Sequence, residues 1–249
     1  RKAALVQLER KVSLSLSEAI AAVPSWRAEL LDLDSSDEQV EKLESQLASV
    51  LAQLTQDGSK LTQARKAAAD RLASLVAKEL SELAMQGSRF SVQVSELGEF
   101  EASGNDRIEF LLANAGSDPR PLAKGASGGE LSRIMLAIEL VLAGDRPMPT
   151  MIFDEVDAGV GGQAAVELGR RLRRLSEKTQ VIVVTHLPQV AAFANHQIKV
   201  AKEISGEITK SSVNILESQD RKRELARMLS GNPDSEVALQ HAEELLNSH

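Results

Sequence analysis

The stretch TMIFDE at residues 150–155 and the stretch VIVVTH at residues 181–186 decide the fold class. Each begins with a short, continuous apolar run, which is typical of a strand buried in a parallel sheet. The segment between them, at about 163–177, has the apolar spacing of a helix. A strand, a helix and a second strand in this order predict a βαβ unit with parallel strands. The chain is therefore predicted to be α/β.

Polar residues follow both predicted strands. Asp154 and Glu155 follow the first strand, and Thr185 and His186 follow the second. The carboxyl ends of parallel strands lie at one edge of the sheet, where open α/β sheets bind ligands. One carboxylate there can hold Mg²⁺ through water, while its neighbour orients the water that attacks a γ-phosphate. An isolated Asp-Glu pair is more often a solvated strand end, but the second strand end favours a site that includes His186.

The sequence SGGE at 127–130 precedes an almost wholly apolar stretch, 131–142. Ser127 and Glu130 have the spacing of a capping box, which predicts a buried helix beginning there. Two glycines in the first turn weaken a helix by about 1 kcal/mol each relative to alanine, and a cap alone does not explain them. Close approach of a phosphate to the free N–H groups of the helix start is the favoured explanation, with a plain cap as the alternative.

The first third of the chain has a helical pattern. Residues 2–22 are amphipathic, and Pro24 predicts that this helix ends and that residues 24–37 form a turn. Residues 39–85 follow as a long helix whose apolar spacing predicts a coiled-coil seam, with a shift in phase at 57–58. Two such helices would form an antiparallel helical coiled-coil arm, and an ordinary bundle is the alternative. The seam begins with Val40, Leu43, Leu47, Val50, Leu54 and Leu61.

From Arg89 onward the pattern changes to that of half-buried strands, at about 90–94 and 108–110. A hairpin is predicted over 197–215 with its turn at 205–206, and two helices are predicted at 219–230 and 234–247. The domains are accordingly predicted as a helical arm at 1–85 and an α/β lobe at 86–249.

The loop DAGVGG at 157–162 is expected to need unusual backbone angles at its glycines. A solvated face is favoured over a DNA contact for four arginines on the following helix, Arg170, Arg171, Arg173 and Arg174.

Composition limits the classes of function. The chain has 249 residues, of which 43% are apolar and 26% charged, and this is typical of a soluble globular protein. It has no cysteine, which excludes disulfides and thiolate metal sites and favours a cytoplasmic location. A net charge of −7 argues against a protein that coats nucleic acid with its whole surface, so any DNA contact is expected to be local. The first residue is not Met, which suggests a fragment of a longer protein.

Three motifs in order resemble the C-terminal lobe of an ABC-type ATPase head. They are KGASGGELSR at 124–133, IFDEVDAG at 152–159 and THLPQVA at 185–191, which are similar to the signature, to Walker B with the D-loop, and to the H-loop. The long preceding helix and the glutamate of the signature resemble the chromosome-maintenance, SMC-like branch. Within that branch, LPQVA at 187–191 and ELARML at 224–229 are similar to the RecN family of bacterial DNA repair ATPases.

The resemblance implies ATP and Mg²⁺ as ligands and a homodimer engaged through ATP. It assigns Asp154 to Mg²⁺, Glu155 to the catalytic base, His186 to sensing the γ-phosphate and Asp157 to coupling two sites. The residues that would contact the γ-phosphate bound to a partner head are Ser127, Gly128 and Gly129, and Glu130 is assigned to the same nucleotide-binding segment.

The sequence contains no G-x-x-x-x-G-K-[ST] motif. The resemblance therefore implies that an N-terminal Walker A lobe of the same protein completes the head, and that the chain alone is inactive. It also implies DNA as a partner, double-strand break repair and recombination as the function, and an association with the nucleoid. Two alternatives are the nucleotide-binding subunit of an ABC transporter, against which the arm argues, and a non-catalytic coiled-coil scaffold.

Overall fold

The computed structural model describes residues 2–142, 148–205 and 208–248, and it leaves out the side chains of 34–38 and 202–210. The predicted hairpin turn at 205–206 therefore lies partly outside the described residues. The chain divides into two compact units, Arg1–Leu61 and Thr62–His249.

The first unit is helical. Helix α1 covers Lys2–Val12, and helix α2 covers Leu16–Glu82, so that α2 begins in the first unit and ends in the second. The helix predicted over 2–22 and the turn predicted over 24–37 are wrong, because the chain turns before Leu16 and α2 continues through Pro24. A capping box sets the break: the Ser15 hydroxyl donates to the Glu18 carboxylate (2.6 Å), as does the Ser15 N–H (2.9 Å).

The apolar row predicted as a coiled-coil seam lies on α2. Its side chains are exposed, from 39% at Leu61 to 63% at Leu43. Helix α1 has only 11 residues and is too short to cover a row that extends from 40 to 61. The antiparallel partner helix that we predicted from residues 2–22 is therefore not formed by this segment.

The second unit contains three small sheets. The first is antiparallel and consists of β1 (Arg89–Glu101), β2 (Gly104–Ala113) and β3 (Arg120–Pro121). The second is the parallel pair β4 (Thr150–Phe153) and β5 (Gln180–Val183), which confirms the predicted βαβ unit. The third is the antiparallel pair β6 (Gln197–Ser205) and β7 (Ile208–Leu216). The helices are α3 (Leu122–Gly125), α4 (Gly128–Leu142), α5 (Gly162–Ser176), α6 (Pro188–Ala191), α7 (Ser218–Ser230) and α8 (Glu236–Asn247).

The main core lies where the end of α2 meets α4, α5 and the sheets. Its fully buried side chains include Leu80 from α2, Leu83 just after it, Leu136 from α4 and Leu168 from α5. A smaller core packs α7 and α8 against the residues that follow the second parallel strand.

The two parallel strands are covered on one face only. Met151, Val181 and Val183 pack against the core. The alternate positions Ile152 and Ile182 are 70% and 45% exposed. We expected both strands to be buried in the sheet. Among the described residues, the core packs on one face of the strands and the other face is exposed.

Candidate functional site

The start of α4 forms the predicted capping box. The backbone N–H of Ser127 donates to Oε2 of Glu130 at 2.8 Å, and the Ser127 hydroxyl donates to the same oxygen at 2.9 Å. The N–H of Glu130 donates back to the Ser127 hydroxyl at 3.4 Å. The hydrogen bond from the Ser127 backbone is the main reason that the pKa of Glu130 is lowered. Glu130 therefore stays ionised and holds the first turn of the helix in place.

The two glycines of this first turn lie against the loop that follows β4. A Cβ atom on Gly129 would come within 2.9 Å of the backbone oxygen of Glu155 and of the Ala158 Cβ. A Cβ on Gly128 would come within 2.8 Å of the Glu155 Oε2 atom, which is the end of a flexible side chain. We attributed both glycines to the approach of a ligand. The structure shows that the protein's own backbone already requires glycine at 129.

The two carboxylates at the end of β4 lie on an unusual turn. Glu155 has a φ of 55°, in the left-handed region that residues other than glycine rarely adopt. Its N–H donates to Oδ1 of Asp154 at 2.9 Å, and its carbonyl accepts from the N–H of Ala158 at 3.0 Å. The Ser132 hydroxyl of α4 donates to the Asp154 carbonyl at 2.8 Å. This turn leaves both carboxylates exposed and places them beside the start of α4.

The side chain of Asp157 points inward and joins the two strand ends. It is 3% exposed and accepts hydrogen bonds at Oδ2 from the Thr185 hydroxyl and from the His186 N–H (3.1 Å). The His186 Nδ1 atom also lies 3.1 Å from this oxygen, while the ring is 74% exposed. Asp157 thus fixes the orientation of the imidazole, and Nε2 remains available to a ligand.

Sequence reasoning missed Arg133 of α4. Its guanidinium is buried, and Nη1 donates to the carbonyls of Val156 (3.2 Å) and Ala158 (2.8 Å). Burial lowers the pKa of Arg133, while the charges of Glu130 and Asp157 act in the opposite direction. The available signal was a single arginine in the apolar stretch 131–142, since an arginine is seldom fully buried without partners.

The predicted site residues thus form two connected groups. The start of α4 contacts the turn that carries Asp154 and Glu155, and Asp157 connects that turn to His186. The described residues contain no group of three or more His, Cys, Asp or Glu side chains that could hold a metal. Magnesium is normally bound by one or two carboxylates, with water and substrate phosphates as the other ligands. Asp154 is the exposed carboxylate that can serve in this way.

Three of the four arginines of α5, Arg170, Arg173 and Arg174, are exposed, as predicted for a solvated face, while Arg171 is only partly exposed. Arg171 and Arg174 donate to the Glu79 carboxylate of α2 at 2.9 and 2.7 Å. Arg173 donates to the Phe193 carbonyl at 3.2 Å, and Arg170 pairs with Glu167. These contacts attach α5 to its neighbours. The loop at 157–162 has left-handed φ angles at Gly159 and Gly162. The prediction of unusual backbone angles is thus confirmed for two of the three glycines in this loop.

The sequence matches the model of the RecF/RecN/SMC N terminal domain over residues 27–209. It is 54% identical to the DNA repair protein RecN of Streptomyces coelicolor over 201 residues, which cover 76% of this chain and 35% of that protein. It is 44% identical to the DNA repair protein RecN of Mycobacterium tuberculosis, covering 100% of this chain and 46% of that protein. The RecN of Deinococcus radiodurans is 40% identical, with 99% and 43% covered. The chain thus spans less than half the length of these relatives.

Two solved structures show the same fold. The Smc head domain with a coiled coil and joint from Pyrococcus yayanosii has a TM-score of 0.60 at 20% identity and covers 86% of this chain and 39% of that chain. The Smc head domain from Pyrococcus furiosus, with an extended coiled coil and bound to the C-terminal domain of ScpA, has a TM-score of 0.50 at 17% identity, covering 86% and 50%.

No helix among the described residues combines the length and the apolar character needed to cross a bilayer. The family model covers well over half of the chain, the relatives are similar along most of it, and the fold is that of an SMC head. The chain belongs to the RecF/RecN/SMC N-terminal domain family.

Proposed function

We propose that this chain is the C-terminal lobe of an SMC-like ATPase head that acts in DNA double-strand break repair and recombination. The observation that carries the proposal is the contact between the start of α4 and the turn at 154–158, because it brings an N–H-rich helix start and two exposed carboxylates together. The name of the relatives, DNA repair protein RecN, supports the biological role. DNA is accordingly the proposed partner, and the cytoplasm, with an association with the nucleoid, is the proposed location.

Each site residue has a role that its position supports. Asp154 holds Mg²⁺, which when bound offsets negative charge on the phosphates of ATP. Glu155 orients the attacking water and accepts its proton. His186, fixed by Asp157, hydrogen-bonds the γ-phosphate through Nε2. The helix start binds the γ-phosphate of a nucleotide on the partner head through Ser127, Gly128 and Gly129, and Glu130 holds this first turn in place.

The other half of the head is proposed to be an N-terminal Walker A lobe of the same protein. The chain contains no phosphate-cradling P-loop motif. The open face of β4 and β5, with Ile152 and Ile182 exposed, is the apolar surface that such a lobe would cover. ATP would then be bound between the Walker A lobe of one head and the α4 start of a second, so that the active form is a homodimer. By itself this chain is expected to be inactive.

The apolar row on α2 is proposed to be one half of an antiparallel coiled-coil arm. Val40, Leu43, Leu47 and Val50 follow each other at steps of three and four residues and are all exposed. A second helix of the same protein, outside residues 1–249, would pack on this row.

The experiment is Glu155→Gln in the full-length protein. The amide keeps the size of the side chain but removes the basic oxygen, so ATP turnover should fall about 10²- to 10⁴-fold while ATP binding persists. Slow hydrolysis should trap ATP between heads, and sedimentation with Mg²⁺ and ATP should show accumulated dimers. Phosphate release near the wild-type rate would refute the proposed role of Glu155.

Asp154→Asn is the matched comparison. It removes one negative charge from the neighbouring position on the same turn. Because Asp154 is assigned to Mg²⁺, this variant should lose turnover and should also lose ATP-dependent dimers. If both variants accumulate dimers equally, the division of roles between the two carboxylates is wrong.

A further inference from the structure

Arg133 is a buried cation for which the proposed chemistry has so far given no role. Its side chain lies in the apolar helix α4, next to Ile134, which is fully buried. Its Nε atom has no hydrogen-bond partner among the described residues. Burying a guanidinium is costly unless it is well paired, and an apolar side chain of the same volume would avoid that cost. Packing alone therefore does not account for arginine at this position.

The hydrogen bonds of Arg133 all go to one turn. A single nitrogen, Nη1, donates to the carbonyls of Val156 and Ala158, on either side of Asp157. This turn also contains Glu155, whose left-handed φ of 55° requires support from its surroundings. Arg133 contacts this turn from the neighbouring helix, at the residue directly after Glu155 and at Ala158.

The same helix carries the phosphate-binding start. Arg133 lies six residues after Ser127 on continuous α4, and Gly129 packs on the turn at Glu155 and Ala158. The helix start and the turn are therefore joined at two points, the Arg133 guanidinium and the Gly129 contact.

We propose that Arg133 is a positioning residue that couples the phosphate-binding start of α4 to the orientation of Glu155. The inference rests on the proposed function. With ATP shared between heads, the α4 start faces the partner's nucleotide, while Glu155 acts on the nucleotide of its own head. Arg133 then connects the two ATP sites of the dimer within one chain.

The test uses Arg133→Lys in the full-length protein. Lysine keeps the charge but cannot reproduce the planar guanidinium, so the turn should lose its fixed orientation. We expect kcat to fall about 10- to 100-fold, in line with the cost of misplacing a catalytic group, with KM for ATP nearly unchanged. Arg133→Met is the second variant, because it fills the volume without burying a charge. It should fold and show the same loss of kcat.

Arg65→Lys is the matched control. Arg65 also donates to a carbonyl, that of Ser103 at 2.6 Å, and to the buried Asp106 carboxylate at 3.0 Å, but it has no contact with the turn at 154–158. Its replacement should leave kcat near the wild-type value. A loss of kcat in Arg133→Lys would then result from the position of Arg133 and not from replacing an arginine by lysine in general.

A double-mutant cycle separates positioning from general structural support. If Arg133 acts through Glu155, then Arg133→Lys should reduce kcat no further in a Glu155→Gln background. Losses that multiply in the double variant, or Arg133→Met with wild-type kcat, would overturn the inference. A Glu155→Gln variant with wild-type turnover would instead overturn the proposed function, so the two failures are distinguishable.

Discussion

Gly129 is the residue at which the two halves of the candidate site touch. Its backbone packs on the Glu155 carbonyl and on the Ala158 Cβ, so that α4 approaches the strand-end turn more closely than any larger residue would allow. Two residues further along the chain, Leu131 begins the apolar stretch that anchors this helix in the core. The geometry of the turn at 154–158 therefore depends on the absence of a single methyl group.

Gly129→Ala should destabilise the chain. Alanine improves helix propensity by about 1 kcal/mol, but the forced contacts cost about 1–3 kcal/mol, and the second effect should dominate. Chemical unfolding of the purified chain measures the difference. Gly161→Ala is the control, since a Cβ there meets nothing within 4 Å and φ is −162°, and it should change stability by less than about 1 kcal/mol. Equal stability of Gly129→Ala and wild type would contradict the structural role of this glycine.

For individual residues, the sequence predicted which side chains lie near one another but not which hydrogen bonds fix their positions. The capping box of Ser127 and Glu130 followed from spacing alone, because its partners are three residues apart. The inward orientation of Asp157 and the carbonyl contacts of Arg133 could not be predicted from spacing. These contacts join positions that are 23 to 29 residues apart in sequence. Such contacts depend on how helices pack on strands, and local patterns carry no information about that.

Among the elements, α2 differs most from the prediction. Proline in a helix interior costs about 3 kcal/mol, and we therefore predicted that the helix ends at Pro24. Instead α2 begins at the Ser15 capping box and continues for 67 residues, with the Ser25 hydroxyl donating to the Ala22 carbonyl at 2.8 Å. Helix formation is cooperative, and one lost hydrogen bond is a small part of so long a helix. The parallel strands were easier to predict, because each is a compact apolar run.

Leu47→Glu tests the proposed arm. In the chain alone Leu47 is 60% exposed, so the substitution should change stability by less than about 0.5 kcal/mol. In the full-length protein a partner helix would bury this position, and an unpaired charge in the seam should then lower the melting temperature of the arm. Circular dichroism of both proteins measures the contrast. Gln46→Glu adds the same charge beside the row and should be neutral in both, whereas an equal response of both proteins to Leu47→Glu would contradict a coiled coil.

For the whole molecule, the open face of the parallel strands and the missing P-loop have the same consequence. Ile152, Ile182 and Val184 are exposed apolar side chains at the parallel strands that precede the turn at 154–158 and His186. The chain spans 35% of the Streptomyces coelicolor relative and 46% of the Mycobacterium tuberculosis relative. The open face of the strands and the absence of a P-loop motif are the features on which the proposed completion of the head by another lobe rests.

The purified chain should accordingly show negligible ATP turnover, because it has no loop to cradle the phosphates. Addition of the N-terminal lobe of the same protein should restore phosphate release. A chain with Glu155→Gln, mixed with the same lobe, is the control and should remain inactive. Robust hydrolysis by residues 1–249 alone would refute the division of the site between two lobes.

The central claim is that Ser127 and Glu155 of one chain serve different nucleotides, although the structure places them close together. The most direct measurement mixes two full-length variants, Ser127→Arg and Glu155→Gln, each of which should be nearly inactive alone. In a mixed dimer one site combines the intact α4 start of one chain with the intact Glu155 of the other. Random pairing should then restore about a quarter of wild-type ATP turnover. If mixing yields no more phosphate than the two variants release separately, both residues act on one nucleotide in one chain, and the shared-site account is wrong.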